Sequence, residues 1–366
     1  MKAELIREQF LKATGPLVGL ISTRPTLPVL NNLLLSTEGG QMEITATNLE
    51  TFMQNKTAVR VLEKGRVTVP ARVLIDFIQA LSSDRIQLSV EKEILTVNAS
   101  EASASIPTIS AAEFPSVGEF NSENQTLVDK KKLLEAIHQV SFSAAPEESR
   151  PVLTGILFAP LGGQLSLVAT DGYRLAKKDT TIRSNLEAIV PARALRETVK
   201  ALTEQEDDQV EISTNKENNQ VRLQTRNLTV FSRLLEGTYP DYEQILPTDF
   251  TSEAVVATKK LVDAVKLASL FARDVGSVVR FDVGAGKIKI SASTTSVGEA
   301  ETAINTKQKG EELKIAFNSR FLLEALATIA GDQTHLSFSG PTSAALLREE
   351  TDSSLLHVVM PVRAAG

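Results

Sequence analysis

Apolar positions along the chain repeat in a fixed order. After Arg72 they fall at Val73, Leu74, Phe77, Ile78 and Leu81; after Arg193 the same offsets hold Ala194, Leu195, Thr198, Val199 and Leu202; after Arg320 they hold Phe321, Leu322, Ala325, Leu326 and Ile329. That spacing is one face of an amphipathic helix, given three times. The entrances match as well: Val69-Pro70-Ala71-Arg72, Val190-Pro191-Ala192-Arg193 and, more loosely, Phe317-Asn318-Ser319-Arg320. A second helical segment precedes each of these, at Phe10-Leu11, Leu133-Leu134 and Leu261-Val262, so the pattern predicts helices in three pairs.

Between the helices the period changes to two. Leu33 to Ser36, Ile156 to Phe158 and Val279 to Asp282 read as strands, each followed by Gly39-Gly40, Gly162-Gly163 or Gly284-Ala285-Gly286, the turns of tight hairpins. Ala46-Thr47-Asn48, Ala169-Thr170-Asp171 and Ala292-Ser293-Thr294 form another repeated element. In its middle copy Asp171-Gly172 is expected to supply a two-residue turn between Gln164–Ala169 and Tyr173–Lys177. An Arg follows the first helix of each pair: Arg24-Pro25, Arg150-Pro151 and a degenerate Arg273-Asp274. Each unit closes on an aromatic or Met before Pro, at Phe114-Pro115, Tyr239-Pro240 and Met360-Pro361. Polar stretches after the first two closures place the borders, giving modules 1–122, 123–250 and 251–366. Two helices covering many short strands imply an α+β fold, with the helix pair packed on antiparallel sheets in each module.

Composition narrows the chemistry. The 366 residues include no Cys, no Trp and three His, His138, His335 and His357, which excludes thiol chemistry and makes a metal centre a poor fit. No cofactor is expected. The charged run Met1–Gln9 lacks the apolar core of a signal peptide, and no stretch of about 18 apolar residues occurs, so a cytoplasmic protein with no membrane contact is expected. The net charge of −6 opposes bulk attraction to nucleic acid, yet Arg193, Arg196 and Lys200 fall at i, i+3 and i+7 on one helix. Lys130-Lys131-Lys132 and Lys259-Lys260 open two others. An enzyme using Asp171 as acid or base is a competing reading, but no nucleophile–base pair, phosphate loop or ligand cluster accompanies it. A β-rich scaffold that binds peptides without encircling DNA is another.

Arg24-Pro25 through Leu35, Val69–Arg72, Ala169–Ala176, Tyr239–Tyr242 with Ile245-Leu246-Pro247, and Val359–Arg363 closely resemble, in order and spacing, the bacterial sliding clamps, the beta subunits of DNA polymerase III. The resemblance spans the chain. It implies a non-catalytic processivity factor for DNA replication: a head-to-tail homodimer closed as a ring around duplex DNA without sequence preference, opened by a clamp loader and tethering the DNA polymerase III catalytic subunit and other replication and repair proteins. By the same resemblance Arg24, Arg72, Arg193, Arg196 and Lys200 face DNA. Val73 and Phe77 meet Leu270 and Phe271 across the dimer. Partner peptides dock on Leu153, Thr170, Gly172, Tyr173, Arg174, Leu175, Pro240, Ile245, Val358, Met360, Pro361, Val362 and Arg363. Met and branched aliphatics suit a site that accepts several partners. Departures from the family pattern are the small tail Ala364-Ala365-Gly366, Gln244 where some members carry Arg, and Pro151-Val152 where some carry tyrosines.

Overall fold

The repeated apolar stripes fold as helices: α1 Arg7–Thr14, α2 Ala71–Ala80, α3 Lys130–Ser141, α4 Ala192–Thr203, α5 Thr258–Ser269 and α6 Ser319–Leu326. In this computed structural model, which describes residues 1–21, 27–146, 150–272, 276–294 and 298–362, each stripe is buried along its centre, while Val73 is exposed and Phe77, Val199 and Phe321 are half-buried. α2 buries Ala71, Leu74 and Ile78, and α6 buries Leu322, Ala325 and Leu326. Thr198 holds an apolar position of α4 because its hydroxyl donates back to the Ala194 carbonyl at 2.8 Å, so no polar group is left unpaired. α6 replaces the entering Pro of α2 with Asn318, whose Oδ1 accepts the Arg320 N–H at 2.9 Å, a cap that explains the looser third motif.

The glycine pairs make the expected hairpins. Gly39 and Gly40 have φ of +57° and +80°, Gly162 and Gly163 +58° and +80°, and Ala285 and Gly286 +49° and +72°. Two successive positive φ values are the signature of a type I′ turn, whose twist matches that of the strands it joins. All the strand pairings described are antiparallel.

The chain divides into two compact units, 1–134 with 193–234, and 135–192 with 235–366. The first holds a five-stranded and an eight-stranded sheet; in the latter Leu228–Arg233 lies beside Thr51–Ala58 with Phe52 opposite Phe231. The second holds a nine-stranded sheet in which Arg174–Arg183 lies beside Leu355–Val359, Leu175 opposite Val358, and a four-stranded sheet. Strands of successive repeats are thus joined edge to edge, which pairs the two edges that meet at each join. In the second unit α5 and α6 pack with Val279, Phe281, Ile288 and Ile290 in one core, where Phe281 and Phe317 meet edge to face at 5.6 Å.

One alignment of the repeats is corrected. Asn32 pairs with Pro70 and Gly155 with Pro191, so the helical turn Pro28–Asn31 corresponds to Pro151–Thr154. The counterpart of Pro151 is therefore Pro28, not Pro25, and Arg150 aligns with Leu27 rather than Arg24. Arg24, Arg363, the Arg273-Asp274 copy and the tail Ala364–Gly366 lie outside the described residues.

Candidate functional site

The hairpin at 170–175 is built by its own side chains. Thr170 pairs with Leu175 across the ladder, and the Asp171 N–H donates to the Arg174 carbonyl at 3.3 Å. The central turn residues are consequently Gly172, at φ +87°, and Tyr173, one position later than the sequence suggests. The shift has a cause in Asp171: its Oδ1 accepts the N–H groups of Tyr173 at 2.9 Å and Arg174 at 3.0 Å, so its side chain closes the turn from outside. Thr170 Oγ1 donates to the Arg174 carbonyl at 2.6 Å and accepts the Gly172 N–H at 3.1 Å. The buried Tyr239 hydroxyl accepts the Thr170 N–H at 3.1 Å, and burial pushes that phenol above its ordinary pKa, keeping it neutral.

Leu175 opposite Val358 sets what stands at the surface. The Met360 N–H donates to the Tyr173 carbonyl at 2.9 Å, placing Tyr173, 67% exposed, across from Met360, 38% exposed. Beneath lies an apolar cluster of Leu153, Val168, Leu175, Ile189, Tyr239 and Val358, with Tyr242 and Leu246 packed against it. The expected docking positions thus separate into layers. Gly172, Tyr173, Pro240, Ile245 and Met360 are exposed, Pro361 and Val362 half-buried, and Leu153, Thr170, Leu175 and Val358 buried. The Val362 N–H donates to the Ala316 carbonyl at 2.8 Å, and Pro361 and Val362 help to line a groove of about 910 Å³ beside the four-stranded sheet. Gln244 Nε2 donates to Asp241 Oδ2 at 2.8 Å.

Arg174 is turned inward rather than toward a ligand. Only 7% exposed, it bonds Asp171 Oδ2 through Nε at 3.0 Å, Glu324 through Nη1, and the Phe142 carbonyl through Nη2 at 2.6 Å. Its guanidinium lies 4.4 Å from the Phe321 ring centroid and 5.3 Å from that of Phe142. Burial pushes the Glu324 carboxyl up, but hydrogen bonds from Arg174 and Arg320 outweigh it and hold it below the usual range. Phe142, Phe321 and Glu324 were not legible as hairpin supports. The Arg320/Glu324 spacing marks a helix-face pair, but nothing local points from Glu324 to Arg174.

The basic positions divide by exposure too. Arg72 on α2 and Arg193, Arg196 and Lys200 on α4 all stand on exposed faces, with Lys200 bonded to Glu197 at 2.9 Å. Lys131, Lys132, Lys259 and Lys260 are exposed, whereas Lys130 donates to the Gln205 carbonyl at 2.6 Å. Val73 is exposed and Phe77 half-buried on α2; just beyond α5, Leu270 is exposed and Phe271 packs partly on the core. Among the described residues no three His, Cys, Asp or Glu side chains are grouped to hold a metal, and no helix is long and apolar enough to cross a membrane.

A thrice-repeated α+β module whose sheets run on from one repeat to the next, with cations on its helix faces, is the build of a DNA sliding clamp. Comparison with known proteins gives the particular family. Three DNA polymerase III beta subunit domains match in order: the N-terminal domain over residues 1–118, the central domain over 127–241 and the C-terminal domain over 243–363. The beta sliding clamp of Pseudomonas aeruginosa is 34% identical across 98% of both chains, and that of Haemophilus influenzae 31% identical across 99% of this chain and 100% of its own. The solved DNA polymerase III subunit beta of P. aeruginosa has a TM-score of 0.94 at 32% identity, covering 99% of this chain and 100% of that one. A sliding clamp of Bartonella birtlesii, solved bound to griselimycin, has a TM-score of 0.95 at 28% identity, covering 100% of both. The chain belongs to the DNA polymerase III beta subunit family, the non-catalytic sliding clamps that serve the polymerase as processivity factors.

Proposed function

We propose that two chains, each of modules 1–122, 123–250 and 251–366, close head to tail around duplex DNA in the cytoplasm. Val73 and Phe77 of one meet Leu270 and Phe271 of the other. Arg72, Arg193, Arg196 and Lys200 touch phosphates loosely, which lets the ring slide. The hairpin face around Tyr173 and Met360 docks peptide segments of the polymerase and of other replication proteins. Arg174 supports that face from within, where Leu153, Leu175 and Val358 form its floor.

The observation that carries the docking reading is the cross-strand pair Tyr173 and Met360, two large side chains exposed over a buried apolar cluster. Exposed aromatic and Met side chains of this kind serve as adaptable anchors for peptides. Two measurements test the reading. Protein loaded on nicked circular DNA should remain bound and run off once that DNA is cut; equal loss from circular and linear DNA would leave a peptide-binding scaffold in its place. Tyr173→Ala with Met360→Ala should weaken a polymerase-derived peptide by about 1–3 kcal/mol, the range for losing apolar anchors, while retention on DNA persists. Unchanged peptide affinity would move docking elsewhere.

A further inference from the structure

The hairpin of the second repeat has a structural counterpart in the first. Thr47 Oγ1 donates to the Thr51 carbonyl at 2.9 Å and accepts the Leu49 N–H at 3.0 Å, while Asn48 Oδ1 accepts the N–H groups of Glu50 at 3.1 Å and Thr51 at 2.8 Å. These are the bonds that Thr170 and Asp171 make. The ladder extends the match: Phe52 faces Phe231 as Leu175 faces Val358, and the Arg233 N–H donates to the Glu50 carbonyl at 3.0 Å as that of Met360 does to Tyr173. Glu50 and Arg233 therefore stand where the second repeat has Tyr173 and Met360. Beside them opens a groove of about 530 Å³, with Leu49, Phe52, Pro115 and Val117 in its wall.

Two features of this groove face outward. Leu49 is held at φ +77° where the second repeat has Gly172, a strained conformation for a bulky residue, and its side chain is still 39% exposed. Arg233 is exposed and forms no ion pair among the described residues, although Glu50 lies across the ladder from it. We propose that this groove is a second docking site, for a short extended peptide that sets one large apolar side chain against Leu49 and Phe52 and one carboxylate on Arg233. The rim selects the class. A wholly apolar segment would cover the guanidinium and leave it unpaired, a carboxylate forms a charge-assisted pair with it, and Glu50 repels further acidic groups. The inference rests on reading the second-repeat hairpin as a docking face.

The chain has no Cys, so Ser116→Cys and Asp241→Cys, each following the Pro of its repeat, give unique sites for trifluoromethyl tags that report the first groove and the second face separately. The probes are acetyl-Ala-Leu-Asp-Phe-Ala-amide and its Asn counterpart, titrated into the full chain by fluorine NMR. A saturating shift of the first tag is expected with the Asp probe, with affinity about fivefold weaker for the Asn probe or in Arg233→Gln, and about twofold tighter in Glu50→Gln. Leu49→Gly should weaken the probe while raising the melting temperature, because it removes both the anchor and the strain. No saturating shift, equal affinity for the two probes, or a shift that tracks self-association in sedimentation would overturn the proposal. A response at the Asp241 tag alone would do so while leaving the second face as a docking site; a response at the Ser116 tag alone would leave the new groove standing and remove the other.

Discussion

Replacing Arg174 with Ala tests whether the hairpin at 170–175 is held from inside. The substitution strands two carboxylates and a carbonyl: Asp171, 10% exposed, Glu324, 31% exposed, and the Phe142 oxygen. Breaking a buried ion pair by removing one partner costs about 3–5 kcal/mol. Two considerations favour the lower end. Asp171 keeps its two backbone N–H bonds, and Glu324 is open enough to recover water and keeps Arg320 at 3.0 Å. The lost stacking on Phe321 and Phe142 adds roughly 0.5–1 kcal/mol, so about 3.5–4 kcal/mol in all is expected. The three tyrosines, Tyr173, Tyr239 and Tyr242, all belong to the second compact unit and the chain has no Trp, so tyrosine fluorescence reports the unfolding of that unit alone. With a slope of about 2–3 kcal/mol per molar urea, its midpoint should fall by about 1.2–2 M. Arg174→Lys, which keeps the charge but not the fork, should fall between. A midpoint within about 0.3 M of the parent would show that Arg174 is not what holds the hairpin, and the layered description of the site would have to be abandoned.

Three further outcomes are expected. Leu270→Ala with Phe271→Ala should give folded monomers, since large apolar residues at an interface centre commonly contribute about 2 kcal/mol or more each; sedimentation still showing dimers at micromolar concentration would place the interface elsewhere. Changing Arg72, Arg193 and Arg196 to Ala should weaken binding to short duplex DNA and flatten its salt dependence by about 0.9 in slope for each phosphate no longer neutralised, and a parent-like slope would turn these faces away from DNA. Burial holds the His357 imidazole down to about 3, with Nε2 at 2.9 Å from Thr328 Oγ1. The unfolded chain therefore binds the extra proton, and the stability due to neutral His357 is full above about pH 6.5 and falls by up to about 1.4 kcal/mol per pH unit between there and pH 3. A His357→Gln protein whose melting temperature falls with acid as steeply as the parent's would assign the loss to other groups.

What could be read from the chain alone is what local chemistry decides. The six helices follow from an apolar period that each segment carries by itself, and the Gly39-Gly40 and Gly162-Gly163 turns from two residues that tolerate positive φ. The strand pairings that join the repeats were not legible. Phe52 beside Phe231 and Leu175 beside Val358 bring together ordinary alternating runs, and alternation states which face is buried without naming the neighbour. For the same reason the two compact units were not foreseen, because cross-repeat sheets tie residues more closely than chain order does. Arg174 misleads in a third way. An Arg beside a Gly-containing turn reads as exposed, and only the fold reveals that Asp171, Glu324 and Phe142 converge on it from three parts of the sequence. Those same three partners fix the Arg174 side chain beneath the hairpin. With its cation satisfied inside, the hairpin turns Gly172 and Tyr173 outward, so a peptide docking there as proposed would meet a shape already formed and lose less affinity to ordering it. In the first repeat Thr51 stands at the position of Arg174, and the Asn48 side chain with the Thr47 hydroxyl closes the turn without a buried charge. Hairpins that make the same backbone bonds are thus held by different means, and it is the rim residues, Glu50 and Arg233 against Tyr173 and Met360, that set the two faces apart.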